Sequence, residues 1–213
     1  VYIINQYILP YFNDTDMEQL VGYDFNIYVE NLLKFLSPTS AKNTLGIFKS
    51  ILKFSQSKYD YRFNFDFIAI PKVHTEELRV LSKQEKSKLE KYCENSNTLR
   101  DIGILICLNT GLRIGEICAL KWDCIDLDKH CIKVKRTMQR IYNKNDKKSI
   151  VKEDIPKTQK SVRTIPISTK LYNILKPMKR NFSKNSYFLT GSEYNYIEPR
   201  NYQYMFKKCL KNC

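Results

Sequence analysis

Arg113 and Glu116 form the residue pair with the clearest potential for chemistry. Arg113 follows Gly111 by two residues, where an apolar helix is predicted to end and another to begin. A guanidinium at the rim of such a junction suits a phosphate, because its planar fork donates two parallel hydrogen bonds. Glu116 lies three residues further on and is positioned to hold that fork. The simpler alternative is an ordinary surface Arg–Glu pair, which contributes only a few tenths of a kcal/mol.

The positive charge of the chain is concentrated in one segment. The 213 residues contain 36 Lys and Arg against 22 Asp and Glu, a net charge of +14. Between Lys129 and Arg180 there are 16 basic and 3 acidic residues, a net charge of +13. Such an excess attracts a polyanion, and nucleic acid is the commonest one. A solvated lysine-rich face is the alternative. An anionic membrane surface fits less well, because the segment alternates like strands rather than like a basic amphipathic helix.

The cysteines indicate an intracellular protein. There are seven, an odd number, with no C-x-x-C pair, so neither a disulfide framework nor a zinc ribbon is predicted, and we expect no metal. Cys93, Cys107 and Cys118 fall in apolar helical patterns, where a thiol usually fills the core. No apolar run approaches the roughly 20 residues that span a bilayer, and no signal peptide opens the chain. We therefore expect a cytoplasmic protein, and, since the chain opens on Val1, one that lacks an upstream part.

Two domains joined by a linker are predicted from the hydrophobic pattern. Residues 1–70 show helical spacing, with a second helix whose apolar stripe excludes Lys42 and Lys49. Residues 71–80 form the linker, preceded by a strand-like alternation over 62–67. Residues 81–213 form the second domain. Its hydrophobic pattern predicts three helices, then strands near 131–142 and 162–167, and then two further helices.

Four sequence strings, in the order in which they occur, resemble motifs of the tyrosine recombinases, also called phage integrases. T-G-L-R-I-G-E-I-C-A-L-K-W-D-C-I-D resembles the first arginine box of that family, and P-K-T-Q-K-S-V-R-T-I-P-I is similar to its lysine hairpin. L-S-P-T-S-A-K-N-T-L-G-I-F-K-S-I-L-K-F resembles its helical core-binding domain, and L-S-K-Q-E-K-S-K-L the start of its catalytic domain. The resemblance implies a mainly α, α+β fold: a helical, SAM-like core-binding domain and a mixed α/β catalytic domain with a small antiparallel sheet.

The resemblance also implies residue roles. Arg113 matches the arginine that holds a non-bridging oxygen of the scissile phosphate, and Glu116 the acidic residue that supports it. Lys157 matches the general acid that protonates the departing 5′ oxygen. Lys160 and Arg163 are expected to contact the DNA backbone or to be solvated. Lys42 and Lys49 in the first domain are further candidates for DNA binding.

The sequence departs from the family at its second arginine box. No H-x-x-R string occurs around His74 or His130, the only two histidines. We therefore expect both domains to be incomplete, the second arginine and nucleophilic tyrosine to be missing, and the chain as given to be inactive. Five late tyrosines are expected to pack rather than react: Tyr187, Tyr194, Tyr196, Tyr202 and Tyr204. A Cys–His nucleophile is a remote alternative.

The predicted function is site-specific DNA recombination by the full-length protein, through a 3′-phosphotyrosine. The expected partners are double-stranded DNA and further copies of the protein, as a dimer or tetramer on DNA. No membrane, small-molecule ligand or cofactor is implied, and the expected origin is a bacterium, phage or mobile element. One alternative is a non-catalytic, regulatory DNA-binding relative. A basic RNA-binding module ranks lower, because no aromatic RNA-recognition string or G-x-x-G clamp is present.

Overall fold

The chain forms two compact units, Val1–Arg79 and Val80–Cys213, in a computed structural model. The structure describes residues 1–64, 68–69, 71–72, 79–96, 98–143, 148–154 and 162–213. The predicted linker and strand-like piece lie largely outside this part, and positions 61–64 form no strand. None of the described helices is long and apolar enough to cross a lipid bilayer.

The first unit is entirely helical in its described part. Its elements are a π-helical turn (Ile4–Ile8), α1 (Leu9–Phe12), α2 (Met17–Val21), α3 (Phe25–Phe35) and α4 (Pro38–Tyr59). The side chain of Asp24 caps α3 and that of Ser37 caps α4, where Pro38 occupies the first turn. The predicted α4 stripe, from Ala41 to Ser55, is buried as expected.

Aromatic side chains hold the first unit together. Phe48 of α4 stacks on Phe12, with ring centroids 4.8 Å apart, and meets Tyr28 of α3 edge to face at 5.3 Å. Tyr28 is fully buried, and its hydroxyl donates a 2.6 Å hydrogen bond to the carbonyl oxygen of Tyr7. The long helix α4 therefore packs its apolar face inward and leaves its polar face to solvent.

The second unit combines helices with two small antiparallel sheets. Its helices are α5 (Lys83–Ser96), α6 (Leu99–Thr110), α7 (Ile114–Cys118), α8 (Thr169–Lys179) and α9 (Pro199–Asn212). Its strands are β1 (Ile125–Asp126), β2 (Cys131–Val134), β3 (Thr137–Asn143), β4 (Lys148–Asp154) and β5 (Arg163–Pro166), and a 3₁₀ turn (Trp122–Cys124) precedes β1. The mainly α, α+β fold class predicted from the sequence is confirmed.

Helix caps in this unit follow the sequence signals. Ser82 and Glu85 cap α5 reciprocally, since each backbone N–H donates to the side chain of the other, at 2.8 and 3.2 Å. Thr98 caps α6 through its hydroxyl, which accepts from the Asp101 N–H. Gly111, with φ of +66°, ends α6 in the left-handed conformation that glycine adopts without strain.

The sheets contain two strands, β1 and β4, that the sequence analysis did not predict. β1, β2 and β5 form one antiparallel sheet with β2 in the middle, so Pro166 lies on an edge strand, where its missing N–H costs no ladder hydrogen bond. β3 and β4 form a separate hairpin, in which Thr137 pairs with Asp154 and Asn143 with Lys148. β4 was not predicted, because its residues, K-S-I-V-K-E-D, are mostly polar and carry little apolar alternation.

Candidate active site

Arg113 lies at the junction of α6 and α7, as the sequence predicted. Gly111 turns the chain, Leu112 is buried, and Arg113 then precedes α7 in an extended conformation. Its side chain is 74% exposed. Buried Leu112 before it and the buried Ile117 of α7 after it anchor the backbone, so the guanidinium extends from a fixed point into solvent.

Glu116 is the centre of the site. Its side chain is only 4% exposed and accepts hydrogen bonds from two arginines. The Arg113 backbone N–H donates to Oε2 at 2.8 Å, and Arg113 Nη1 donates to Oε1 at 3.0 Å. Arg163 Nη1 and Nη2 donate to Oε1 and Oε2, both at 2.8 Å. The predicted pairing of Glu116 with Arg113 is present, with a second and more regular partner.

Arg163 was expected to contact DNA or solvent, and the structure instead gives it an internal partner. It opens β5, pairs with Val134 of the central strand β2 and is 31% exposed. Its bidentate fork to Glu116 is the geometry that arginine and carboxylate prefer. A contact between Arg163 and DNA stays a prediction.

The electrostatics of the site keep Glu116 ionised. Burial raises the pKa of this carboxyl, but the hydrogen bonds from Arg163 and Arg113 outweigh burial and lower it to about 2. In turn, the hydrogen bond to Glu116 raises the pKa of Arg163. Glu116 and Arg163 therefore remain charged at neutral pH, and the Arg113 guanidinium is the part of this group that faces solvent.

Gly115 allows α7 to lie directly against β3. A Cβ atom at this position would stand 2.6 Å from the carbonyl oxygen of Met138 and 2.7 Å from Thr137 Oγ1. Real Cβ contacts are not that short, so only glycine fits without displacement of the backbone. This contact fixes the start of α7, and with it Arg113 and Glu116, relative to the β3–β4 hairpin.

Lys157 and Lys160 lie outside the described residues, and the structure gives no position for either. The strands on both sides of residues 155–161 are held by side chains of the second unit. Before it, Glu153 of β4 contacts Arg136 Nε at 3.1 Å and accepts the Tyr187 hydroxyl at 2.6 Å. After it, Arg163 is bound to Glu116.

The remaining candidates are distributed over the surface and core. Lys42 is exposed and Lys49 is half-buried on α4 of the first unit. Cys107 and Cys118 are largely or fully buried, and burial raises the pKa of each to about 12, so these thiols are inert core filling as predicted.

The late tyrosines separate into two groups. Tyr202 is buried and donates to the Arg100 carbonyl oxygen at 2.7 Å, so it packs as predicted. Tyr187 is also buried, and its pKa is raised to about 12 by burial and by Glu153. Tyr194 and Tyr204 are 87% and 56% exposed, so the prediction that they pack is wrong. Tyr196 is largely exposed and meets the Tyr187 ring edge to face.

Known proteins resemble this chain in both sequence and fold. The sequence pattern of the phage integrase family matches residues 79–212. A tyrosine recombinase XerC-like protein of Caldanaerobacter subterraneus is 33% identical over 126 residues, which are 58% of this chain and 31% of that protein. A shufflon-specific DNA recombinase of Escherichia coli is 24% identical over 188 residues, 83% of this chain and 44% of that protein. The chain thus spans less than half the length of these relatives.

Solved structures share the fold at low sequence identity. The Tn1549 transposon integrase in complex with circular intermediate DNA matches with a TM-score of 0.70 and 22% identity, over 92% of this chain and 65% of that one. A lambda integrase tetramer bound to a Holliday junction matches with a TM-score of 0.54 and 14% identity, over 93% and 51%. The family pattern covers more than half of the residues, including Arg113, Glu116 and Arg163. The chain belongs to the phage integrase family of tyrosine recombinases.

Proposed function

We propose that this chain is the DNA-binding and phosphate-activating part of a site-specific recombinase. The observation that carries the proposal is the exposed Arg113 guanidinium, held at its base by the buried Glu116 carboxylate. Arginine has five N–H donors, and Glu116 engages one of those on the Arg113 side chain among the described contacts. Donors therefore remain for a bidentate interaction with two oxygens of one phosphate.

The role of Arg113 is to neutralise negative charge on the scissile phosphate. Strand cleavage places negative charge on the non-bridging oxygens in the transition state, and a fixed donor there stabilises it more than it stabilises the ground state. Glu116 acts through Arg113 and is a positioning residue. Arg163 locks Glu116 from the opposite side, so that the carboxylate does not rotate away when phosphate competes for Arg113.

Lys157 is proposed as the general acid, as the family resemblance implies. Its ammonium group donates a proton to the 5′ oxygen as the P–O bond to that oxygen breaks. Lys160 is the alternative donor. The support from described residues is indirect: Glu153 and Arg163 hold the strands on either side of this segment.

We assign no nucleophile for the covalent step among these residues. The bond to phosphorus in a 3′-phosphotyrosine forms from a tyrosine oxygen. Tyr187 and Tyr202 each hold their hydroxyl in an internal hydrogen bond. Since the sequence also contains no H-x-x-R string, we propose that this chain alone binds DNA without cleaving it. A covalent protein–DNA adduct formed by the chain on a nicked duplex would refute this.

The proposed partner is duplex DNA, contacted by the basic segment from Lys129 to Arg180 and by Lys42 and Lys49 on α4. Assembly into a dimer or tetramer on DNA and a cytoplasmic location belong to the same proposal. A non-catalytic DNA-binding relative is the second candidate, since these 213 residues contain no H-x-x-R string. Cleavage by a longer protein that contains these residues would exclude it.

Salt dependence tests the DNA contact directly. If the basic segment binds phosphates, log K for a duplex should fall linearly with log salt, with a slope of about −0.9 for each phosphate neutralised. We expect at least about four such contacts, measured by fluorescence anisotropy. A flat plot, or tighter binding to single-stranded RNA than to duplex DNA, would contradict the proposal.

A further inference from the structure

Two buried cysteines and an aspartate from three different helices meet in the second unit. The Sγ atoms of Cys93 on α5 and Cys209 on α9 and a carboxylate oxygen of Asp101 on α6 all lie within 4.8 Å of one another. Cys93 is 0% exposed and Cys209 5%. In the part of the chain that the structure describes, no other group of three His, Cys, Asp or Glu side chains lies close enough to share an ion.

A third thiol lies one helical turn away. Cys213 follows Cys209 by four residues, the spacing that puts two side chains on one helix face. The Cys213 Sγ is 2.9 Å from the Cys209 carbonyl oxygen, and this thiol is exposed. Cys213 thus lies at the end of α9, one turn beyond the group formed by Cys93, Asp101 and Cys209.

The partners of Asp101 leave its charge without a cation in the described contacts. Its Oδ2 accepts hydrogen bonds from the hydroxyls of Ser96 and Thr98, the latter at 2.7 Å. Hydroxyl donors of this kind orient a carboxylate and leave its second oxygen available. A partly buried carboxylate beside two sulfur atoms is a poor place for an isolated negative charge and a good place for a bound cation.

We propose that Cys93, Asp101, Cys209 and Cys213 form a structural Zn²⁺ site that fastens α9 to α5 and α6. Soft thiolate ligands favour Zn²⁺ among the common divalent ions, and structural zinc takes four ligands in a tetrahedron. With Zn–S bonds of about 2.3 Å, tetrahedral sulfur atoms stand about 3.8 Å apart, so Cys93 and Cys209, now within 4.8 Å, need to close in by roughly 1 Å at most, and the Asp101 oxygen by slightly more. Binding releases the thiol protons, which go to solvent.

Such a site has a consequence for the candidate active site. α9 lies directly on α6 at Gly103, where a Cβ would stand 2.5 Å from the Tyr202 hydroxyl. α6 ends at Gly111, two residues before Arg113. A metal ion that ties α9 to α6 stabilises the helix that ends just before the arginine, although the zinc site does not depend on the proposed function.

Metal stoichiometry on the reduced, purified chain tests the proposal. After incubation with Zn²⁺ and removal of free ion, we expect one Zn²⁺ per chain. Replacement of Zn²⁺ by Co²⁺ should give the intense thiolate-to-metal charge-transfer absorption and visible bands of a tetrahedral thiolate site. At 100 times Kd, Zn²⁺ should raise Tm by about 5–10 °C.

Single variants assign the ligands. Cys93→Ala and Cys209→Ala should abolish stoichiometric binding, and Cys213→Ser, an exposed change with little folding risk, should weaken affinity by more than about 10-fold. Cys131→Ala removes a buried thiol on β2 outside the cluster and should leave zinc binding unchanged. The proposal is overturned if the reduced wild-type chain binds no Zn²⁺, if Cys213→Ser binds as tightly as wild type, or if Cys131→Ala removes the site. A disulfide between Cys93 and Cys209 in the chain purified without oxidant would overturn it as well.

Discussion

Replacing Glu116 by Gln tests whether this buried carboxylate holds both arginines of the candidate site. The side chain is 4% exposed and accepts four hydrogen bonds, one from a backbone N–H and three from guanidinium nitrogens. Gln preserves the volume but removes the charge, and one of its two polar atoms becomes a donor. Arg113 and Arg163 then lose their shared counter-charge, and one of them faces an N–H group.

The pKa shift gives the size of the expected effect. The pKa of Glu116 falls from 4.5 to about 2 in the fold, and one pKa unit corresponds to about 1.4 kcal/mol. Ionised Glu116 therefore stabilises the fold by about 3 kcal/mol, in line with the roughly 3–5 kcal/mol lost when one partner of a buried pair is removed. Because the folded-state pKa is lowered, this contribution is fully present above about pH 4.5 and is lost as the pH falls towards 2.

Thermal unfolding at two pH values measures this contribution. At pH 7 we expect Glu116→Gln to lower Tm by about 6–12 °C. At pH 3 the difference from wild type should shrink to about half, because protonation then removes much of the same charge from the wild-type protein. Glu90→Gln is the matched control: Glu90, 23% exposed, pairs with the 49% exposed Lys86 at 3.7 Å in an i,i+4 arrangement worth about 0.5 kcal/mol. Equal Tm values at pH 7, or a difference that does not change with pH, would refute the reasoning.

Two further predictions concern the backbone and the general acid. Gly115→Ala places a Cβ 2.6 Å from the Met138 carbonyl oxygen and should destabilise the second unit by about 1–3 kcal/mol; Gly46→Ala on α4, with no atom within 4 Å, is the control and should not destabilise. Similar urea midpoints for the two variants would contradict the packing of α7 on β3. In a longer, cleavage-competent protein, Lys157→Ala should slow cleavage, and a 5′-thio leaving group, which needs no proton, should restore the rate. Rescue of Lys160→Ala instead would move the general acid to Lys160, and rescue of neither would remove it from this segment.

Local signals in the sequence were enough to predict the elements that carry the site. The Gly111 turn and the position of Arg113 were predicted, and the Ser82–Glu85 and Thr98 caps likewise depend on residues within four positions of each other. The pairing of Glu116 with Arg113 is local in the same sense. These features follow from backbone hydrogen bonding near helix ends, which a short window of sequence specifies.

Contacts made through tertiary structure were not predictable in the same way. Arg163 pairs with Val134 where β5 joins β2, and from there its side chain reaches Glu116, 47 positions away in the sequence, without a local signal. A buried carboxylate such as Glu116 needs more positive charge nearby than one exposed arginine supplies. The burial of Glu116, however, is evident only from the fold. The cluster of Cys93, Asp101 and Cys209 was not predicted either, because its residues come from three different helices rather than from one C-x-x-C string.

Cleavage and binding measured together on Arg113→Ala test the central claim most directly. The assay uses a longer protein that contains this chain, a nicked duplex that traps the covalent adduct, and anisotropy for affinity. Loss of one donor to the transition state should reduce the cleavage rate by at least about 10²–10³-fold. DNA affinity should fall by less than about 10-fold, because Arg113 is one phosphate contact among many. Undiminished cleavage, or a loss of cleavage fully explained by lost affinity, would contradict the assignment of Arg113 to the scissile phosphate.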